Sequence, residues 1–176
     1  MRDEVDELLE AWGRERGDLD LAPVAVFSRV SRLARRLELA RRDAFAAHDI
    51  EQWEFDVLAA LRRAGAPYEL SPGRLLRDTL VTSGTMTNRI DRLSARGYVE
   101  RSPDPDDRRG VIVRLTTEGR SAVDAAFTAL LDAEHALLED LPERDRTRLA
   151  SLLRTLLAPF HAPQNEPTRS PKRAGD

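Results

Sequence analysis

Residues 83–93, SGTMTNRIDRL, space Met86, Ile90 and Leu93 as a helix does, and a few residues later the pattern turns to strand. Gly97 ends the helical run. YVERS (98–102) and GVIVRLT (110–116) alternate or run β-branched, which predicts two short strands. Between them PDPDDRRG (103–110) is rich in turn residues and charge, as a hairpin tip is. A helix leading straight into a small hairpin limits what the rest of the chain can build around it.

Upstream, the periodicity predicts four more helices. Residues 3–16 place Val5, Leu8, Leu9 and Trp12 on one stripe. Pro23 suits the first turn of a long helix over 22–47, with Val26, Val30, Leu33 and Leu37 in line. Residues 51–64 form a third helix, closed by Gly65 and Pro67, and Ser71-Pro72 opens a short fourth. The SGTMTNRIDRL helix, capped by Thr82 or Ser83, is the fifth. Downstream, Thr116 or Thr117 caps a long helix carrying Val123, Phe127, Leu130 and Leu131. A last helix over 143–158 carries Leu149, Leu152, Leu153, Leu156 and Leu157. The tail from residue 162 is expected to be disordered.

The fold class expected is mainly α with a small β-hairpin, a winged helix-turn-helix with long N- and C-terminal dimerisation helices. Residues 1–20 form an extra N-terminal helix, 21–50 and 117–161 a helical dimerisation region, and 51–116 the DNA-binding lobe. The end helices are more apolar than one small domain needs. An ordinary intrachain core and a dimer interface both explain that. The dimer is favoured, because such a module reads DNA best as a symmetric pair.

Composition bears on function. The net charge of −3 argues against nucleic acid if the chain is taken whole. Residues 62–120, however, carry twelve Arg against eight acids, whereas residues 1–20 carry three against eight. Cysteine is absent, which removes thiolate metal sites and Cys nucleophiles. His48, His135 and His161 fit no metal-ligand spacing, and no Gly-rich phosphate loop occurs. No catalytic residue, metal or cofactor is therefore expected. No apolar run of about 20 residues or leader is present, so a cytoplasmic protein without a membrane partner is expected.

With Met86, Ile90 and Leu93 inward, the opposite side and flank of the fifth helix carry Ser83, Thr85, Thr87, Asn88 and Arg92. Small and hydroxyl residues near its start permit close approach to a major groove, and Asn and Arg read base edges or hold phosphates. The structural alternative is a plain solvated face. The hairpin tip favours DNA. Asp107, Arg108 and Arg109 suit a wing: an Arg at its tip can enter a minor groove, and Asp107 beside Arg109 can hold that guanidinium. The bland alternative is a surface ion pair.

The run LVTSGTMTNRIDRLSARGYVERSPDPDDRRGVIVRLTTEG resembles the DNA-binding lobe of MarR-family transcription regulators. The D-x-R-G wing followed by V-x-L-T-x-x-G is its most specific part. The resemblance implies a homodimer joined by terminal helices. It also implies a double-stranded operator, usually repressed, and release by a small ligand.

Arg89 lies roughly 60° from the Met86 direction, closer to the interior than to DNA. A guanidinium turned inward needs an acid or an anionic ligand. Asp56 stands on a helix that is apolar nearly all round, and Trp12 ends an aliphatic stripe. A buried Asp56–Arg89 ion pair with Trp12 as a core anchor is the structural reading. The early Trp, the EFDVL-like third helix and TNRIDRL together resemble the urate-responsive, PecS-like subgroup. That likeness implies Trp12, Asp56 and Arg89 as effector-binding residues, with Arg74 and Arg101 as further candidates. A citrate-like acid or a phenolic carboxylate suits the same residues. A helical protein-interaction module without DNA binding is the distant alternative.

Overall fold

The computed structural model describes residues 2–79, 82–105 and 110–161. Asp107, Arg108, Arg109 and the tail from 162 lie outside the described residues. The chain divides into two compact units, Met1–Leu137 and Leu138–Asp176.

In the first unit, α1 (Glu4–Glu15) starts at a reciprocal cap: Asp3 accepts from the Val5 and Asp6 amides at 3.0 Å, and the Asp6 carboxylate accepts from the Asp3 amide at 2.9 Å. It packs on α2 (Ala22–Ala46) through buried Val5 and through Arg29, which reaches Asp3 at 2.8 Å and Asp6 at 2.6 Å. Arg41 of α2 meets Glu134 of α6 (Thr117–Leu137) at 2.7 Å. Phe45 of α2 stacks on Phe55 of α3 (Gln52–Arg63) with ring centroids 4.4 Å apart, and Phe55 lies 6.3 Å from Phe127 of α6. These rings join the long helices to the lobe that follows. In α3, Val57 to Leu61 are all buried, so that helix is the spine of the core.

Gly65 and Tyr68 take positive φ (78° and 63°) and turn the chain from α3 into β1 (Glu69–Leu70). Helix α4 (Pro72–Thr79) has Pro in its first turn, after Ser71, whose carbonyl accepts from the Arg74 and Leu75 amides. Helix α5 (Ser83–Ala95) leads into β2 (Val99–Pro103) and β3 (Val111–Leu115). The sheet is antiparallel in the order β1-β3-β2. It has three strands where the sequence predicts two, because β1 is only two residues long and carries no alternation to read. Register places Arg114 opposite both Glu69 and Glu100, and it pairs with both, at 2.7 and 3.8 Å. Val99, Val113 and Leu115 point into the core.

On α2, Val26, Phe27, Val30 and Leu33 are 39–57% exposed. The second unit contains α7 (Glu143–His161), whose Leu152, Leu153, Leu156, Leu157 and Phe160 are likewise exposed. No helix among the described residues is long and apolar enough to cross a membrane.

Candidate nucleic-acid interface

Both ends of α5 are set by local chemistry. Thr82 caps the start, its Oγ1 accepting from the Thr85 amide at 3.4 Å and lying 2.9 Å from Thr85 Oγ1. At the other end Gly97 adopts φ 72°. The Gly97 and Tyr98 amides donate to the Ser94 and Leu93 carbonyls, at 2.9 and 3.0 Å. Between these caps Met86, Ile90 and Leu93 are buried, as their spacing predicts. Ser83, Thr85, Thr87, Asn88 and Arg92 are exposed. A Cβ added to Gly84 would meet nothing within 4 Å, so the first turn is open to a close partner.

A second row on the same helix, Arg89, Arg92 and Arg96, meets the beginning of α3. Arg89 and Arg92 both stand over the Trp53 ring, 5.5 and 4.5 Å from its centroid. Arg92 Nη2 also donates to Glu51 Oε1 at 2.7 Å, while Trp53 Nε1 donates to Glu51 Oε2 at 2.8 Å. The indole N–H, and then the Arg92 guanidinium, hold the Glu51 carboxyl below its ordinary range. Arg96 reaches Glu54 at 2.7 Å, the Asp49 carbonyl at 2.7 Å and carboxylate at 2.8 Å, and the Tyr98 hydroxyl at 3.1 Å.

The Asp56–Arg89 ion pair expected from the sequence does not form. Arg89 takes the Trp53 face, and Asp56, half-buried, accepts from Gln52 Nε2 one turn earlier at 3.0 Å. The reason is where the helices meet. The first turn of α3, not its middle, faces the arginine row, so Glu51, Trp53 and Glu54 become its partners. The buried acid of α3 is accordingly Glu54, at 1% exposure, and its cation is Arg96. Sequence reasoning misses both. Two signals in the chain point to them: the Glu51-x-x-Glu54 capping spacing, and three Arg at i, i+3 and i+7.

The effector candidates do not line one common cavity. Asp56 lines a cavity of about 240 Å³ with Phe55, Ala59, Arg63, Asp78 and Thr79. Arg74 lines a second, of about 150 Å³, which shares Arg63 and Asp78 with the first. Arg101 pairs with Asp91 at 2.7 Å and donates to the Thr87 carbonyl at 3.3 Å. Trp12 is 48% exposed on α1, which packs on α2. Neither Trp12 nor Arg89 belongs to the wall of either cavity. The wing residues Asp107, Arg108 and Arg109 lie outside the described residues.

Comparison with known proteins agrees with this architecture. The MarR family pattern matches residues 48–110. The HTH-type transcriptional regulator PecS of Dickeya dadantii is 35% identical over 150 residues, covering 85% of this chain and 90% of PecS. A Cys-to-Ser mutant of MarR from E. coli, solved in complex with operator DNA, superposes with a TM-score of 0.63 at 26% identity, covering 89% of this chain and 99% of that one. BpsR of Bordetella bronchiseptica, whose DNA binding is regulated by 6-hydroxynicotinic acid, superposes at 0.57 with 29% identity, covering 72% and 91%. The chain belongs to the MarR family of DNA-binding transcriptional regulators.

Proposed function

We propose that the chain is a repressor. In this reading it binds a pseudo-palindromic operator as a homodimer and leaves it when a small planar anion such as urate binds. The observation that carries the reading is the division of α5: a buried row of Met86, Ile90 and Leu93, and an outward row from Ser83 to Arg92. That outward row is offered to the major groove. By family resemblance Arg109 enters the minor groove, with Arg108 beside it and Asp107 as positioning partner. The apolar stripes left exposed on α2 and α7 supply the dimer contact, since a second copy covers them at no cost in new chemistry.

The effector is read from Trp12, Asp56 and Arg89, with Arg74 and Arg101 as further candidates. Trp12 and Arg89 lie outside the walls of the cavities lined by Asp56 and Arg74, and in this reading ligand binding brings them to Asp56. The ligand's charge draws Arg89 away from Trp53 and so moves α5 without touching DNA. The regulation of BpsR by a planar heteroaromatic acid supports an effector of that chemistry; a citrate-like acid is the second reading. The test is a gel shift on the DNA upstream of the chain's own gene, at graded salt and with urate, 6-hydroxynicotinate or citrate added. The reading expects a steep salt dependence and release by a planar anion. Retention of full urate sensitivity by Arg89→Ala contradicts the coupling.

A further inference from the structure

Arg92 faces two claimants. It lies on the flank of the DNA-facing side of α5, one turn after Asn88, yet its guanidinium is already held by a carboxylate beside α3. Both partners are open to solvent, with 53% of the Arg92 side chain and 58% of the Glu51 side chain exposed. The pair rests on a single short bond, Nη2 to Oε1 at 2.7 Å, while the other Glu51 oxygen accepts from Trp53 Nε1. The same indole carries Arg92 on its face at 4.5 Å.

Resting on the DNA-binding reading above, we propose that Glu51 is an intramolecular stand-in for a DNA phosphate, a latch that occupies Arg92 until the duplex displaces it. Arg binds carboxylate and phosphate oxygens through the same N–H edge, so one guanidinium cannot serve both fully. Glu51 is fixed in place by the Trp53 N–H, and its carboxyl is held ionised by that bond and by Arg92. Trp53 is the platform: its ring supports the guanidinium while the N–H edge turns from Glu51 to phosphate. The exchange sets affinity without adding any contact to a base. Glu51 therefore tunes the sequence-independent part of DNA binding.

The test is a cycle of full-length variants, wild type, Glu51→Gln, Arg92→Gln and the double variant, titrated against a labelled random-sequence duplex by anisotropy at several salt concentrations. Gln keeps the length of Glu51 and can still accept from Trp53 Nε1. Because an exposed ion pair is worth at most about 1 kcal/mol, Glu51→Gln is expected to bind about three- to fivefold tighter. Arg92→Gln is expected to bind more weakly, with a salt slope shallower by about 0.9. In the Arg92→Gln background, removal of the Glu51 charge brings no comparable gain. If Glu51→Gln binds no tighter than wild type, the latch is overturned. The same gain in both backgrounds also overturns it, because Glu51 then acts as a distant charge. An unchanged affinity and slope in Arg92→Gln shows that Arg92 does not touch DNA, and the latch falls with it. Failure of wild type to bind any duplex overturns the DNA-binding reading itself.

Discussion

Arg96 Nη1 lies 2.7 Å from Glu54 Oε2, joining the C-terminal end of α5 to the first turn of α3 in a pair whose acid is wholly buried. Glu54 also accepts from the Glu51 amide, and Arg96 also holds Asp49. The pair therefore fixes where α5 sits against the core. Removal of Arg96 leaves the buried Glu54 carboxylate without that cation, which costs about 3 kcal/mol. Arg96→Ala is expected to lower the urea midpoint by that equivalent with little change in the slope of the transition. Glu54→Gln, which keeps an acceptor, should lose less.

The entry to α6 carries a second constraint. A Cβ at Gly119 would run into the Tyr98 carbonyl oxygen, with the carbonyl carbon at 2.8 Å. Backbone offers nothing that can swing aside. Gly119→Ala is therefore expected to destabilise by about 2 kcal/mol or more, seen as a lower thermal midpoint. Gly84→Ala, which meets nothing within 4 Å, should leave stability within about 1 kcal/mol of wild type or raise it.

Docking of α1 is sensitive to acid. The Arg29 hydrogen bond, chiefly, lowers the Asp3 carboxyl from 3.8 to about 2, with help from the Asp6 and Val5 amides. A carboxyl depressed in the folded state stabilises above its unfolded value, and that contribution is lost as pH falls from 3.8 towards about 2. In wild type the helical signal of α1 should fray across that window. In Asp3→Asn the change across the same window should be smaller than in wild type, and helicity near neutral pH lower.

Elements with strong periodicity are legible in the sequence. Met86, Ile90 and Leu93 point inward as their spacing requires, and Gly97, Ser71 and Thr116 stand at the helix ends their chemistry favours. The third strand is not legible, because Glu69-Leu70 owes its place to pairing with Arg114 and Val113 far along the chain. The partner of Arg89 escapes for a related reason. Helical geometry gives the direction of a side chain on its own helix, but not which turn of α3 waits opposite. Asp56 has the right charge on the wrong turn, and Trp53, an aromatic face, takes the cation instead. Burial of Glu54 rather than Asp56 follows from the same crossing.

The central claim is that the outward row of α5 reads operator DNA, and Asn88 is its most direct probe. Asn88 is exposed, so its truncation leaves stability within about 0.5 kcal/mol of wild type. A specific side chain–base contact contributes about 1–3 kcal/mol of discrimination, about five- to 150-fold in affinity. The decisive measurement is anisotropy of wild type and Asn88→Ala on the duplex upstream of the chain's own gene and on a random-sequence duplex. A loss of about tenfold on the first with no change on the second is the expected result. Equal affinity of the two proteins for the upstream duplex, or the same loss on both, contradicts the account.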